Sequence, residues 1–112
     1  IMITKKEIKY LSSLGMIIGS HSESHTLLSR LSYEKQFKEI KNSKTFLEKI
    51  INKNIDTFCY PYGGKISYNN NTLKILKKLK FKLAYSVDYR NITIKDLKNK
   101  PYELPRFDCN LF

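Results

Sequence analysis

The alternation of apolar and polar positions divides the chain into helix-like stretches separated by short apolar runs. Ile8, Leu11 and Leu14 recur at helical spacing behind Thr4-Lys5-Lys6-Glu7. In that tetrapeptide the Thr hydroxyl and the Glu carboxylate have the spacing of a capping box, and Gly15 is a natural stop. Met16-Ile17-Ile18-Gly19-Ser20 follows without polar alternation, the pattern of a strand buried on both faces. Ser32 can cap a longer helix in which Tyr33, Phe37, Ile40, Leu47, Ile50 and Ile51 lie near one stripe, broken by Lys44. Thr57-Phe58-Cys59-Tyr60 reads as a second strand, halted by Pro61 and the turn Gly63-Gly64. Leu73, Leu76 and Leu79 mark a third helix, capped by Asn71 or Thr72, and Leu83-Ala84-Tyr85-Ser86-Val87 a third strand. Ile92 and Ile94 are the apolar positions of a weak edge strand, and the tail from Glu103 to Asp108 is extended.

Helix, strand, helix, strand, helix, strand is the order of α/β construction with a mainly parallel sheet. Three or four strands fall short of an eightfold barrel, which takes roughly 200 residues or more. The expected architecture is therefore an incomplete (β/α) barrel or a small open sheet, with residues 1–112 as one unit. Open strand edges in such a part-barrel invite self-association with another copy. Catalytic groups in these folds gather at the C-terminal ends of strands. That rule singles out His21, the segment from Tyr60 to Gly64, and Asp88.

Composition changes this picture little. The 112 residues are 41% hydrophobic, 12% aromatic and 28% charged, an ordinary globular mixture. No apolar run reaches the ~18 residues of a membrane span, and IMITKKEIKY is too polar for the centre of a signal peptide. Ile1 in place of Met points to a piece of a longer polypeptide. Cys59 and Cys109 are too far apart for a zinc ribbon and too few for a disulfide framework. The net charge is +11, and residues 65–100 carry ten basic side chains against Asp88 and Asp96. That stretch reads as a lysine-rich solvated surface, because its only Arg is Arg90 and nucleic-acid recognition leans on Arg forks. No nucleic acid is expected as a partner.

The chemistry-bearing feature is Gly19-Ser20-His21-Ser22-Glu23-Ser24-His25, which holds both histidines of the chain. Two imidazoles at i and i+4 share a metal if the turn between them is helical. The alternative is a pair of unrelated surface histidines near a helix start. Glu23 reads as a base or, more simply, as a helix-start carboxylate favoured by the dipole. Cys59 reads as a small core residue. Tyr60 and Tyr62 suit the wall of a sugar groove, with core packing the equal alternative for one of them.

With Leu27, Leu28 and Leu31-Ser32 behind it, this segment resembles the histidine motif of the polysaccharide deacetylases, the NodB-homology enzymes of carbohydrate esterase family four. The resemblance implies that His21 and His25 are ligands of a catalytic divalent metal, usually zinc. Phe58-Cys59-Tyr60-Pro61-Tyr62-Gly63 is similar to the family's third motif, Arg-x-Pro-Tyr, which walls the groove. By that likeness Tyr60, Pro61, Tyr62 and Gly63 bind substrate, and the Tyr62 backbone N–H serves the oxyanion hole. Tyr85-Ser86-Val87-Asp88 looks like the start of the fourth motif, which makes Asp88 a catalytic candidate. The fold implied is an incomplete barrel of the polysaccharide deacetylase type, and the activity implied is removal of N-acetyl groups from an amino-sugar polysaccharide. The family also implies a cell-envelope or extracellular setting.

The departures are specific. No Asp-Asp pair, the family's first motif, precedes the histidines, so a third metal ligand and the general base are missing. Cys59 replaces the Arg of the third motif, and no His follows His25 to act as general acid. Arg106, in Leu104-Pro105-Arg106, is expected to reach the pocket and replace the missing Arg, with an ordinary surface Arg paired with Asp108 as the equal alternative. The fragment is expected to be inactive alone. Two rival readings stand beside the enzyme: a carbohydrate-binding remnant without metal, and a polyanion binder using residues 65–100.

Overall fold

In the computed structural model of this chain, which describes residues 3–107, the backbone alternates helices and short parallel strands. Helix α1 spans Lys5–Ser13 and starts with the expected capping box: the Glu7 N–H donates to Thr4 Oγ1, and the Thr4 N–H to Glu7 Oε1. Gly15 ends it with φ +90°, a left-handed conformation that glycine adopts at little cost. Helix α2, Tyr33–Ile51, is capped by Ser32, and its C-terminus closes on Asn52 in the left-handed region. Strand β1, Thr57–Cys59, pairs in parallel with β2, Leu83–Tyr85, and helix α3, Asn70–Lys78, connects them. Parallel bridges Ser20–Phe58 and Tyr85–Leu104 extend the sheet by one contact on each side. The sheet is not closed.

The core lies between this sheet and helices α2 and α3. Leu28, Ile40, Ile55, Phe58, Ile75, Leu76, Ala84 and Leu104 are inaccessible to solvent. Gln36 is equally buried and joins the two helices through polar contacts. It accepts from Thr72 Oγ1 at 2.5 Å and donates to Asn69 Oδ1 at 3.3 Å. Every polar group in this buried cluster has a partner, as interior polar groups must.

Three sequence expectations are corrected. The run Met16–Ser20 is not a strand buried on both faces: Ile17 is 84% exposed and Met16 57%. The Met16 N–H is spent on Leu11 O at the end of α1, so ladder bonding begins only at Ser20. Helix α3 is capped by Asn69, whose side chain accepts from the Thr72 N–H, and not by Asn71 or Thr72. Residues 92–94 form no edge strand, because Thr93 caps a short helix α4, Ile94–Asn99, with Asp96 completing a capping box. The expected extended tail runs on to Asp108, which with Cys109 lies outside the described residues.

Candidate active site

The site grows out of the end of β1. Ser20 is locked to that strand by two backbone bonds, its N–H to Thr57 O at 2.9 Å and the Cys59 N–H to its own O at 3.0 Å. His21 follows directly, and its Nδ1 lies 2.6 Å from Cys59 O. A carbonyl oxygen only accepts, so Nδ1 is the donor, which in the neutral ring leaves the lone pair on Nε2. Orientation of an imidazole by such a bond is the usual preparation of a metal ligand.

The segment that follows is not helical. Ser22 and His25 both adopt left-handed backbone, with φ of +66° and +55°, and the His25 N–H donates to Ser22 Oγ at 3.0 Å. The condition set for a shared ligand pair, a helical turn, is therefore corrected, yet the rings still meet. Their centroids are 4.8 Å apart at 62°. Glu23 is at no helix start either; its carboxylate accepts from Asn42 Nδ2 at 3.0 Å.

The segment after β1 closes on the same point. Tyr62, at φ +70°, holds its ring 64% exposed and 4.9 Å from that of His25. Gly63 has φ +79°, and its carbonyl accepts from the Val87 N–H at 2.7 Å. A Cβ on Gly63 would stand 2.4 Å from Val87 Cγ2 and 2.8 Å from Arg106 Nη2, so only glycine fits. Arg106 thus packs its guanidinium against the loop carrying Tyr62. Its Nε is buried without a hydrogen-bond partner among the described residues.

The other expected site residues fall elsewhere. Tyr60 is fully buried, stacks on Tyr68 at 4.2 Å, and donates its hydroxyl to Tyr102 O at 2.6 Å. Burial raises its phenol pKa far above the usual range. Its place in a groove wall is corrected to the core. Pro61 and Gly63 are buried as well, which leaves Tyr62 as the one exposed side chain of the four candidates. Cys59 is half-buried and contributes its carbonyl to His21. Asp88 lies beside Arg106 through the bond from its N–H to Arg106 O, 3.3 Å, but its carboxylate accepts from Arg90 Nε at 2.9 Å. Arg90 also forks onto Asp96, holding that carboxyl well below the usual carboxylate range with help from the Thr93 N–H.

As a metal centre the arrangement is partial. Two imidazoles converge, but no cluster of three His, Cys, Asp or Glu side chains exists among the described residues. A catalytic zinc usually takes three protein ligands, so the described residues offer at most two of them. His21 also borders an open cavity of about 770 Å³ between the segment Gly19–Glu23 and α2, lined in part by Asn42 and Phe46.

Residues 2–84 match the family described as polysaccharide deacetylase. The chain belongs to the polysaccharide deacetylase family. Asp88 and Arg106 lie beyond the matched residues. The protein is similar to the Streptococcus pyogenes deacetylase PplD, solved in complex with acetate, at 30% identity and a TM-score of 0.84 over 94% of this chain and 44% of PplD. It is similar to the Bacillus subtilis peptidoglycan deacetylase PdaC at 26% identity and a TM-score of 0.59, over 85% of this chain and 42% of PdaC. YxkH of Bacillus subtilis (strain 168) is 26% identical over 86 residues, 77% of this chain and 30% of YxkH. The chain therefore spans less than half the length of these relatives.

Sequence reasoning missed Glu39, whose carboxylate on α2 accepts from the N–H groups of Glu23 and Ser24. Its only signal was position: Glu39 and Asn42 share a helix face, and nothing local says that a loop lies across it.

Proposed function

We propose that the polypeptide to which these residues belong removes N-acetyl groups from an amino-sugar polysaccharide of the cell envelope. The observation that carries this reading is the meeting of His21, His25 and Tyr62 at the end of β1, with rings 4.8 and 4.9 Å apart. His21 and His25 would hold zinc or another divalent cation through two of its positions, and a carboxylate from outside these 112 residues supplies a third. When bound, such a cation lowers the pKa of its water toward ~7 and polarises the acetyl carbonyl.

The chain's own residues then divide the remaining work. The Nδ1–H of His21 is tied to Cys59 O, which fixes which nitrogen faces the cation. The Tyr62 N–H stands for the oxyanion donor, a role worth about 3 kcal/mol of barrier in comparable sites. Tyr62's exposed ring offers a face to a pyranose. Arg106, seated against Gly63, replaces the Arg of the third motif and steadies the Tyr62 loop. Asp88 stands beside it. PplD, a deacetylase solved with acetate, and PdaC, a peptidoglycan deacetylase, support an acetylated wall polymer as the substrate class.

The experiment is calorimetric zinc titration of the full-length protein against a His21→Ala/His25→Ala variant. The wild type is expected to bind, the double variant to lose most of that affinity, and residues 1–112 alone to bind weakly without turnover. Equal binding by wild type and double variant removes the reading.

A further inference from the structure

The loop bearing both histidines is gripped from outside the site by one face of α2. Glu39 and Asn42 stand one turn apart on that helix. Glu39 Oε2 accepts from the N–H groups of Glu23 and Ser24, each at 3.0 Å, while Oε1 accepts the Ser24 hydroxyl. Asn42 Nδ2 adds a bond to the Glu23 carboxylate at 3.0 Å. Charge-assisted bonds of this kind are roughly twice as strong as neutral ones. They meet the loop between Ser22 and His25, two non-glycine residues in the left-handed conformation. L-residues adopt that conformation only when surrounding structure imposes it.

We propose that Glu39 is a positioning residue: by clamping the Glu23 and Ser24 amides it imposes the left-handed turn that brings the two imidazoles together. The functional side of this proposal rests on the metal reading above. Its geometric side does not, because ring convergence is observable without any cation. Once the carboxylate is gone the loop keeps the Ser22 Oγ bond to the His25 N–H and the Asn42 bond to the Glu23 side chain, neither of which holds the Glu23 and Ser24 amides. The freed amides then turn to water, the backbone relaxes, and His25 swings away from His21. The histidine pair is thus assembled by a helix more than a dozen residues downstream, not by its own turn.

The test uses histidine-labelled full-length protein and reads two quantities, the NOE between the His21 and His25 rings and the zinc dissociation constant. Glu39→Ala is expected to lose the cross-ring NOE and to weaken zinc binding by about tenfold or more. Glu39→Gln keeps both near wild type, because its carbonyl still accepts the two amides. If Glu39→Ala fails to fold, Glu39→Asp is read the same way, since its carboxylate is withdrawn by one methylene. A cross-ring NOE absent from wild type, or surviving in the folded Ala or Asp variant, overturns the clamp whatever the zinc affinity does. Equal zinc affinity in wild type and in His21→Ala/His25→Ala instead overturns the metal reading, and the NOE still decides the clamp.

Discussion

Met16-Ile17 and Phe58 with Ala84 are apolar stretches with opposite fates. Phe58 and Ala84 are inaccessible to solvent, each flanked by a hydrogen-bonded neighbour, whereas Ile17 is 84% exposed and Met16 57%. Both segments look like strands when read alone. The difference is that β1 and β2 have ladder partners and a helical layer above them, while Met16 gives its N–H to the end of α1. A strand is made by its neighbours, and an apolar run without them stays a connector.

The widest expected gap tests that contrast directly. Phe58→Ala is expected to cost about 3–5 kcal/mol through lost burial and the cavity left behind. Ile17→Ala is expected to change stability by no more than about 0.5 kcal/mol. Urea midpoints of the two variants measure the gap, and comparable losses would mean that the first run is packed after all.

A second probe concerns the bracket joining α2 to the entry of β1. Glu48 Oε2 accepts from Lys44 Nζ at 2.8 Å and from the Ile55 N–H at 2.9 Å, and Lys44 also donates to Ile55 O. Partial burial by itself raises the Glu48 pKa. The hydrogen bonds from Lys44 and Ile55, with the Lys44 charge, outweigh it and hold the carboxyl below its ordinary 4.5. A depressed folded value means stability that is present above the unfolded pKa and lost as pH falls through the folded one. Glu48→Gln is expected to cost about 1–3 kcal/mol at neutral pH. It should also flatten the stability loss as pH falls through and below 4.5. An unchanged acid limb in chemical denaturation would count against the bracket.

The smallest effect belongs to the periphery. Thr93→Ala removes the cap of α4, worth about 1 kcal/mol for that helix, but α4 buries none of its residues. Faster amide exchange at Asp96 and Leu97, with an unmoved global midpoint, is the expected pattern. A falling global midpoint would show that α4 belongs to the cooperative unit.

What could be read from sequence was whatever depends on neighbours a few residues away. The Thr4–Glu7 box, the Ser32 cap and the strands around Phe58 and Ala84 are local patterns, and they form as expected. The Thr93–Asp96 box was equally local and was overlooked because Ile92 and Ile94 suggested period-two alternation. The histidine spacing marks two rings that do meet, but not through the helical turn named as the condition: a left-handed backbone held at Glu23 and Ser24 by Glu39 stands there. Tyr60 faces inward because Tyr68 and Tyr102, eight and forty-two residues on, enclose it. Such long-range enclosure leaves no mark on the sequence around the residue it buries.

The bond between His21 Nδ1 and Cys59 O has a consequence for mutational drift. Its acceptor is main chain, so the side chain at position 59 can be exchanged without untying the imidazole. Drift at that position leaves the ring's tether in place, whatever side chain it brings.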